Sequence, residues 1–444
     1  MFPPVRGRKG AGAPNNGSVT ATAHARLVLD SLGRERLHPA LDERAPGLLW
    51  AQSGAMWLSG HADGPARACP APLAACAQGA WLALSALLPQ HCDPGFDAYR
   101  LLGERAAIAG LARRGRVSAG GACRLLDMAD GVLALNLARD EDRELIPAWL
   151  EQPDADTGEL VGILRGRRMA PLLQRARVLG LAAAAVVPPR PCRSWFRATR
   201  HATARRAGRD APLVIDLSSL WAGPLCAQLL SRCGARVIKV ESTARPDGAR
   251  SGPARFHDLL NAGKESVALD LREAAGRTRL RALLARADIV IESSRPRALE
   301  QMGIHAADLL AERPGMVWLG ITGYGRRAPM RDWIAYGDDA GVAAGLAWLM
   351  GREGEDPVFC ADAIADPLTG LHAAPLALAS WLDGGGQLLD IALHDVAAFC
   401  AAARCVPEPC AAPAKDVALP SARVDCARAA ELGADTSRVL REFA

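Results

Sequence analysis

The stretch VIDLSSLWAGPLCAQLLSRCGARVIKVE, residues 214–241, reads strand, helix, strand. LVIDL at 213–217 is a short apolar run. A helix is expected from Pro224 to Gly234, because Pro starts helices well and Gly ends them. RVIKVE at 236–241 is a second apolar strand. SVALDL (266–271), DIVIES (288–293), MVWLGIT (316–322) and LLDIAL (388–393) repeat this grammar, with helical segments between most of them. Apolar runs of that kind are buried on both faces, which predicts an α/β fold with a largely parallel sheet.

A strand, a helix and a second strand ending in an acid, Glu241, is the layout of a nucleotide-binding βαβ unit. The phosphate loop is missing. The connection SSLWAGP holds a single glycine, Gly223, and neither GxGxxG nor a P-loop is present. This argues against a nicotinamide-dependent enzyme.

Working outward, the 444 residues suggest two to three domains. Half of them are hydrophobic and 23% are charged, so a core can form. The net charge of +5 is too small to indicate a dedicated nucleic-acid binder. No run approaches the roughly 18–20 apolar residues of a membrane span. The opening MFPPVRGRKGAGAPNNGS lacks an apolar core and reads as tail rather than signal peptide, so a cytoplasmic protein is expected. The 12 cysteines include no CxxC pair, and the five-residue spacing of Cys400, Cys405 and Cys410 fits no zinc template. They read as reduced thiols acting mostly as small hydrophobes. Lysine is scarce, at four against 49 arginines.

Residues 23–190 read as mainly helical with short strands, among them VLALNLA at 132–138. WLALSALL (81–88) reads as a helix, and ELVGILRGRRMAPLLQRARVLG as a helix broken at Pro171. Residues 188–212 hold seven Arg and four Pro and read as a solvated linker. An internal match links the two halves. Trp348 aligns with Trp57, Gly351 with Gly60, Cys360 with Cys69, and Gly370 with Gly79, at a constant offset of 291. In that register Asp366 faces Ala75.

The second half resembles the family III (CaiB/BaiF-type) CoA-transferases. The resemblance rests on the 214–241 stretch, NAGKESVALDL (261–271), ADIVIESSRPRALEQMGI (287–304), GITGYGRRAP (320–329), ADPLTG (365–370) and LDGGGQLLDIAL (382–393). It implies a Rossmann-like large domain with a smaller α+β domain. RGRVSAGGACRLLDMADGVLALNLARDEDRELIPAWL, in the first half, is similar to the small domain that follows the large one in this family; here it precedes it. The expected partition is a disordered tail (1–22), a partial degenerate large-domain copy plus small domain (23–190), an Arg-rich linker (191–211), a catalytic large domain (212–405) and a C-terminal extension (406–444). The chain therefore resembles a rearranged, fused form of the family.

The resemblance implies an acyl-CoA and a carboxylic acid as substrates, with coenzyme A as a thioester substrate and no tightly bound cofactor or metal. It makes Asp366 the catalytic nucleophile. An ordinary Asp has a pKa of about 3.9 and is ionised at neutral pH without a base. On spacing alone, Asp366 before Pro367 reads equally as a helix N-cap, and the helix end could offer N–H groups to an oxyanion. Asp362 is the reserve. The CoA-binding residues implied are Gln228, Lys239, Lys264 and Arg295, each of which reads equally as an ordinary surface residue. Racemases of the same family use a His in the Tyr-containing segment; Tyr336 stands there instead, which weakens that alternative. His372 reads as a helix-face residue. A non-catalytic CoA-binding or scaffold homologue is the alternative from another class. No nucleic-acid or membrane partner is expected, and the family implies a homodimer or, for this fusion, an intrachain pseudo-dimer.

Overall fold

The computed structural model describes residues 19–443, apart from 193, 206–209, 352–353, 404–416 and 425–426. Most of the expected tail and the spacing Cys405–Cys410 lie outside the described residues. A helix already begins at Ala21, so the tail is shorter than its expected end at residue 22.

Seven strands form one sheet: β4 (Phe196–Arg200), β5 (Leu213–Asp216), β6 (Arg236–Ser242), β7 (Glu265–Leu269), β8 (Ile289–Glu292), β9 (Val317–Thr322) and β10 (Gln387–Ala392). Their order is β4-β10-β9-β8-β5-β6-β7. All pairs are parallel except β4 with β10. Within its parallel part, the chain starts at β5, builds outward through β6 and β7, then returns to β8 on the other side of β5. That is the doubly wound order, with its switch point between β5 and β8, where ligands of such sheets bind. Ile215, Ile238 and Val290 are side by side in the register and completely buried. This explains why the strands read as continuous apolar runs. The helix after β5 spans Ala222–Arg232, and Gly234 takes a positive φ of 92° just beyond it.

A second, smaller sheet is antiparallel: β1 (Cys123–Met128), β2 (Gly131–Asn136) and β3 (Ala182–Ala185), in that order. The helices Ile146–Leu150 and Met169–Leu179 contribute Trp149, Leu150, Leu172 and Ala176 to a core with this sheet. The break in the helical stretch falls at 166–168, not at Pro171. Pro171 sits in the first turn of the second helix, where its missing N–H costs nothing.

The Arg-rich segment is not simply a solvated linker. Phe196–Arg200 forms the antiparallel edge strand β4, and Trp195 is 1% exposed. Its indole N–H donates to Ser31 Oγ at 3.1 Å. The adjacent aromatic pair supplies the apolar burial that the arginines cannot. The thiols are not all separate either: Cys92 and Cys233 are joined as a disulfide.

Two long apolar helices, Leu73–Leu87 and Ala365–Leu382, belong to one core that runs through both halves. A Cβ on Gly79 would lie 2.6 Å from the Ala21 carbonyl oxygen, and one on Gly370 would lie 2.7 Å from that of Ala222. Each glycine lets a neighbouring helix approach at backbone distance. At the far edge, the helix Thr436–Glu442 covers β7: Asp435 accepts from the Ser266 N–H and Thr436 Oγ1 from the Ala268 N–H. Among the described residues, no helix is long and apolar enough to cross a membrane.

Candidate active site

Asp366 stands in the first turn of Ala365–Leu382, but Ile364 is the N-cap. The N-cap reading of Asp366 does not hold. Its carboxylate faces another loop, where the Gly337 N–H donates to Oδ2 at 3.0 Å. The bond is returned: the Ala363 N–H donates to Asp338 Oδ1 at 2.9 Å. Gly337 is required at this crossing. A Cβ there would lie 2.2 Å from the Ala363 carbonyl oxygen and 2.3 Å from Asp366 Oδ2. Ala361 and Ala363 both hold positive φ, 57° and 41°, a conformation that costs a non-glycine residue about 1–3 kcal/mol and gathers at functional sites.

Four carboxyls meet here. Asp362 is fully buried and forks onto Arg105, which donates from Nε to Oδ2 at 2.8 Å and from Nη2 to Oδ1. Arg105 comes from the first half and lies over the Trp221 ring at 5.5 Å. Asp339 is buried and accepts from Asn136 Nδ2 at 2.9 Å and the Tyr336 N–H at 3.0 Å. Asp339 Oδ2 and Asn136 Oδ1 have no hydrogen-bond partner among the described residues.

Crowded, desolvated carboxyls resist ionisation. Burial pushes Asp366 up to about 7, with the Asp338 and Asp362 charges adding to it; Arg105 and the Gly337 N–H hold it down. Burial, then Asp362, lifts Asp338 to about 6. Burial lifts Asp339 to about 7. The expectation that Asp366 behaves as an ordinary Asp is therefore overturned: near neutral pH it is divided between acid and carboxylate. Asp366 is also partly exposed, and its Oδ1 makes no hydrogen bond among the described residues.

The Asp366 and Leu368 N–H groups are already bonded to the Ala363 and Ile364 carbonyls, and Pro367 has none.

The structure separates the four residues implied for CoA. Lys264 is 4% exposed, and its ammonium is engaged by Asp216 Oδ2 at 2.8 Å, the Pro224 carbonyl at 2.9 Å and Asn261 Oδ1 at 3.1 Å. Three donors meet three acceptors, so nothing remains for a phosphate. Lys239 is equally buried, between the Ser218 carbonyl and Asp247, both at 2.9 Å. It is not the solvent-facing strand residue its alternation suggests. Gln228 accepts from Arg423 Nη1 at 3.1 Å, beside the Arg423–Glu104 ion pair. Arg295 is different. It follows β8 at the switch point and has no ion-pair partner among the described residues. Partial burial lowers its pKa, as do the neighbouring Arg297, Arg139 and Arg245 charges, against Asp332. Tyr336 is within the field of Arg139 and Arg245, and the next peptide N–H, of Gly337, holds Asp366. One short turn thus joins the arginine group to the carboxyl.

Arg105, Arg139, Arg245, Asp338 and Asp339 have no signature in the sequence. The nearest signal is the DD pair after Tyr336, whose adjacent acids are costly unless the fold uses them.

Residues 212–417 match the family described as CoA-transferase family III. An "Acyl-CoA transferase" of Fusarium pseudograminearum is 34% identical over 202 residues, covering 41% of this chain and 44% of that protein. A "Succinyl-CoA--D-citramalate CoA-transferase" of Chloroflexus aurantiacus is 31% identical over 197 residues, covering 42% and 49%. The chain thus spans under half the length of each of these two relatives. Among solved structures, a CAIB/BAIF family protein from Brucella suis is 32% identical, with a TM-score of 0.40 over 44% of this chain and 55% of that one. Residues 212–417 are thus similar to the family III CoA-transferases, and this span holds the parallel strands of the doubly wound sheet and Asp366.

Proposed function

We propose that the chain moves coenzyme A between an acyl-CoA and a free carboxylic acid, with Asp366 as the nucleophile. The observation that carries this reading is the Asp366 carboxyl itself. One oxygen is held by the Gly337 N–H, while the other makes no hydrogen bond among the described residues.

In its ionised form, Asp366 Oδ1 attacks the thioester carbonyl. The C–S bond breaks, and a mixed anhydride and CoA thiolate result. The thiolate then attacks the Asp366 carbonyl carbon, expelling the first acid as its carboxylate and leaving an aspartyl-CoA thioester. An incoming carboxylate attacks that thioester and releases CoA thiolate again, which then takes the new acyl group from the anhydride and frees Asp366. One carboxylate splits a hard transfer into easier exchanges. Arg105 neutralises Asp362, so that Asp366 can ionise beside it. Arg295, with Arg245 nearby, offers guanidinium groups to the CoA phosphates at the mouth of the switch point, whereas Arg139 is already paired with Asp142. Tyr336 supplies no imidazole base for an α-proton, so racemisation is not supported. The Chloroflexus relative named above, together with a "Succinate--glutarate CoA-transferase" of Agrobacterium fabrum, directs the search for an acid to short dicarboxylates.

We further propose that the first half is a partial, degenerate copy of the large domain, so that the chain packs as a pseudo-dimer. Cys69 and Cys360, which match in the internal alignment, are both buried in the same core. Gly79 and Gly370, also matched, each seat a helix.

The test is to incubate the protein with succinyl-CoA, quench with hydroxylamine and map the adduct by mass spectrometry. A hydroxamate at Asp366 is expected. CoA binding without any adduct, or undiminished transfer by Asp366→Ala, overturns the reading. The rate of adduct formation should rise with pH through about 7, as Asp366 loses its proton; a flat profile from pH 5 to 9 would count against the assignment.

A further inference from the structure

Away from the carboxyl cluster, the core holds a group of metal-ligating side chains that the transfer reaction does not use. His24, His372 and Cys400 are all 0% exposed, and one ligand atom from each lies within 4.8 Å of the other two. His24 comes from the helix Ala21–Ser31, His372 from Ala365–Leu382 and Cys400 from Leu393–Ala402. The two Nε2 atoms are 2.8 Å apart, and Cys400 Sγ is 3.9 Å from His372 Nε2. Cys76, on Leu73–Leu87, is hydrogen-bonded to Cys400.

The orientation of the rings is informative. His372 Nδ1 is 2.7 Å from the Leu368 carbonyl oxygen, so Nδ1 carries the hydrogen and Nε2 presents a lone pair to the cluster. Metal-bound histidines are held in this way, with the second ring nitrogen donating to a carbonyl. His24 Nδ1 has no partner among the described residues, so its Nε2 makes the ring's only polar contact. Around a tetrahedral zinc ion, nitrogen and sulfur ligands lie about 3.3–3.8 Å apart. The observed separations bracket that range. Trp195 and Phe399 wall the group off, with ring centroids 5.5 Å from His372 and 5.2 Å from His24.

We propose that His24, His372 and Cys400, with Cys76 as the fourth donor, form a structural zinc site that fastens the first-half helices to the helix carrying Asp366. Two imidazoles and two thiols are the donor set of closed tetrahedral zinc sites. Cys400 and Cys76 each give up a thiol proton to solvent as the ion is loaded. Because the site is enclosed, loading accompanies folding.

The full chain is expressed in medium supplemented with Zn(II) or Co(II), and its metal content is measured by mass spectrometry. About one equivalent is expected, and the cobalt form should show thiolate-to-cobalt charge transfer with intense tetrahedral d–d bands. His372→Gln and Cys400→Ser should each lower the content by at least ~10-fold, whereas Cys226→Ser, a buried cysteine on another helix, should keep it. Less than about a tenth of an equivalent in the unsubstituted protein overturns the proposal, as does a cobalt spectrum without the charge-transfer band. Unchanged content in both variants does the same. Should those variants fail to fold, anomalous scattering at the zinc edge decides: a peak between His24 and His372 supports the site, and a peak only elsewhere refutes it.

Discussion

The helices Leu73–Leu87 and Ala365–Leu382 are alike in what they bury and unlike in what they meet at their N-termini. Both are apolar and almost completely enclosed, and each uses a glycine to seat a neighbouring helix. At the start of the first, Ala75 is 0% exposed and carries no polar atom beyond its backbone. At the start of the second, Asp366 meets the Gly337 N–H, two further acids and a paired arginine. The difference teaches that a buried apolar helix carries no chemistry by itself. What separates the two ends is a loop crossing and the ion pair that makes it tolerable.

The sharpest way to break this contrast is to remove the carboxyl. Asp366→Ala should lower transfer by ~10³-fold or more, the scale of losing a covalent nucleophile, measured as turnover of succinyl-CoA with glutarate. Next, Ala75→Asp places an acid at the matching position without the N–H, the arginine or the exposure. Burying it should cost about 3 kcal/mol, read as a lower urea midpoint. It should gain no adduct and should not rescue Asp366→Ala. Rescue would show that position in the helix, rather than surroundings, makes the proposed nucleophile.

A third measurement tests the acid-rich surroundings through linkage. Asp339 is held protonated up to about 7 in the folded chain, against 3.8 for the reference group. Between those values the unfolded chain has lost a proton that the native one keeps. Stability contributed by this group is therefore present at low pH and lost as pH rises towards 7. Asp339→Asn removes the loss, so its stability relative to the unsubstituted chain should grow by on the order of 2 kcal/mol between about pH 5 and 6.5. Parallel urea-derived stability curves for the two proteins would contradict the assignment. The smallest effect belongs to Arg295→Ala, which should raise KM for the acyl-CoA about 10-fold with kcat little changed, as expected for lost phosphate binding. An unchanged KM would move the phosphates elsewhere.

Much of the fold is legible in local pattern. All six apolar runs of the second half became parallel strands, because strands covered on both faces must be apolar throughout. The resemblance also singles out Asp366, which the fold sets among other acids. The lysines are not: inside VIKVE or NAGKES nothing distinguishes an ammonium offered to solvent from one enclosed by Asp247 or Asp216. Lys264 looked like a phosphate contact because charge is usually exposed, and pairing with a buried acid inverts that rule. The segment 191–211 misled for a similar reason, since arginine density outweighed the single tryptophan that the core takes in.

The sequence by itself determined the α/β class, the order of strands and helices, and the position of the Asp366 carboxyl, because each rests on neighbours within a few residues. Only the tertiary structure decided the state and company of that carboxyl. Arg105 and Asp362 are 257 residues apart, Asn136 and Asp339 203 apart, and His24 and His372 348 apart. Desolvation and charge–charge coupling act through space, so the shift of Asp366 towards neutrality exists only once the chain has brought those groups together.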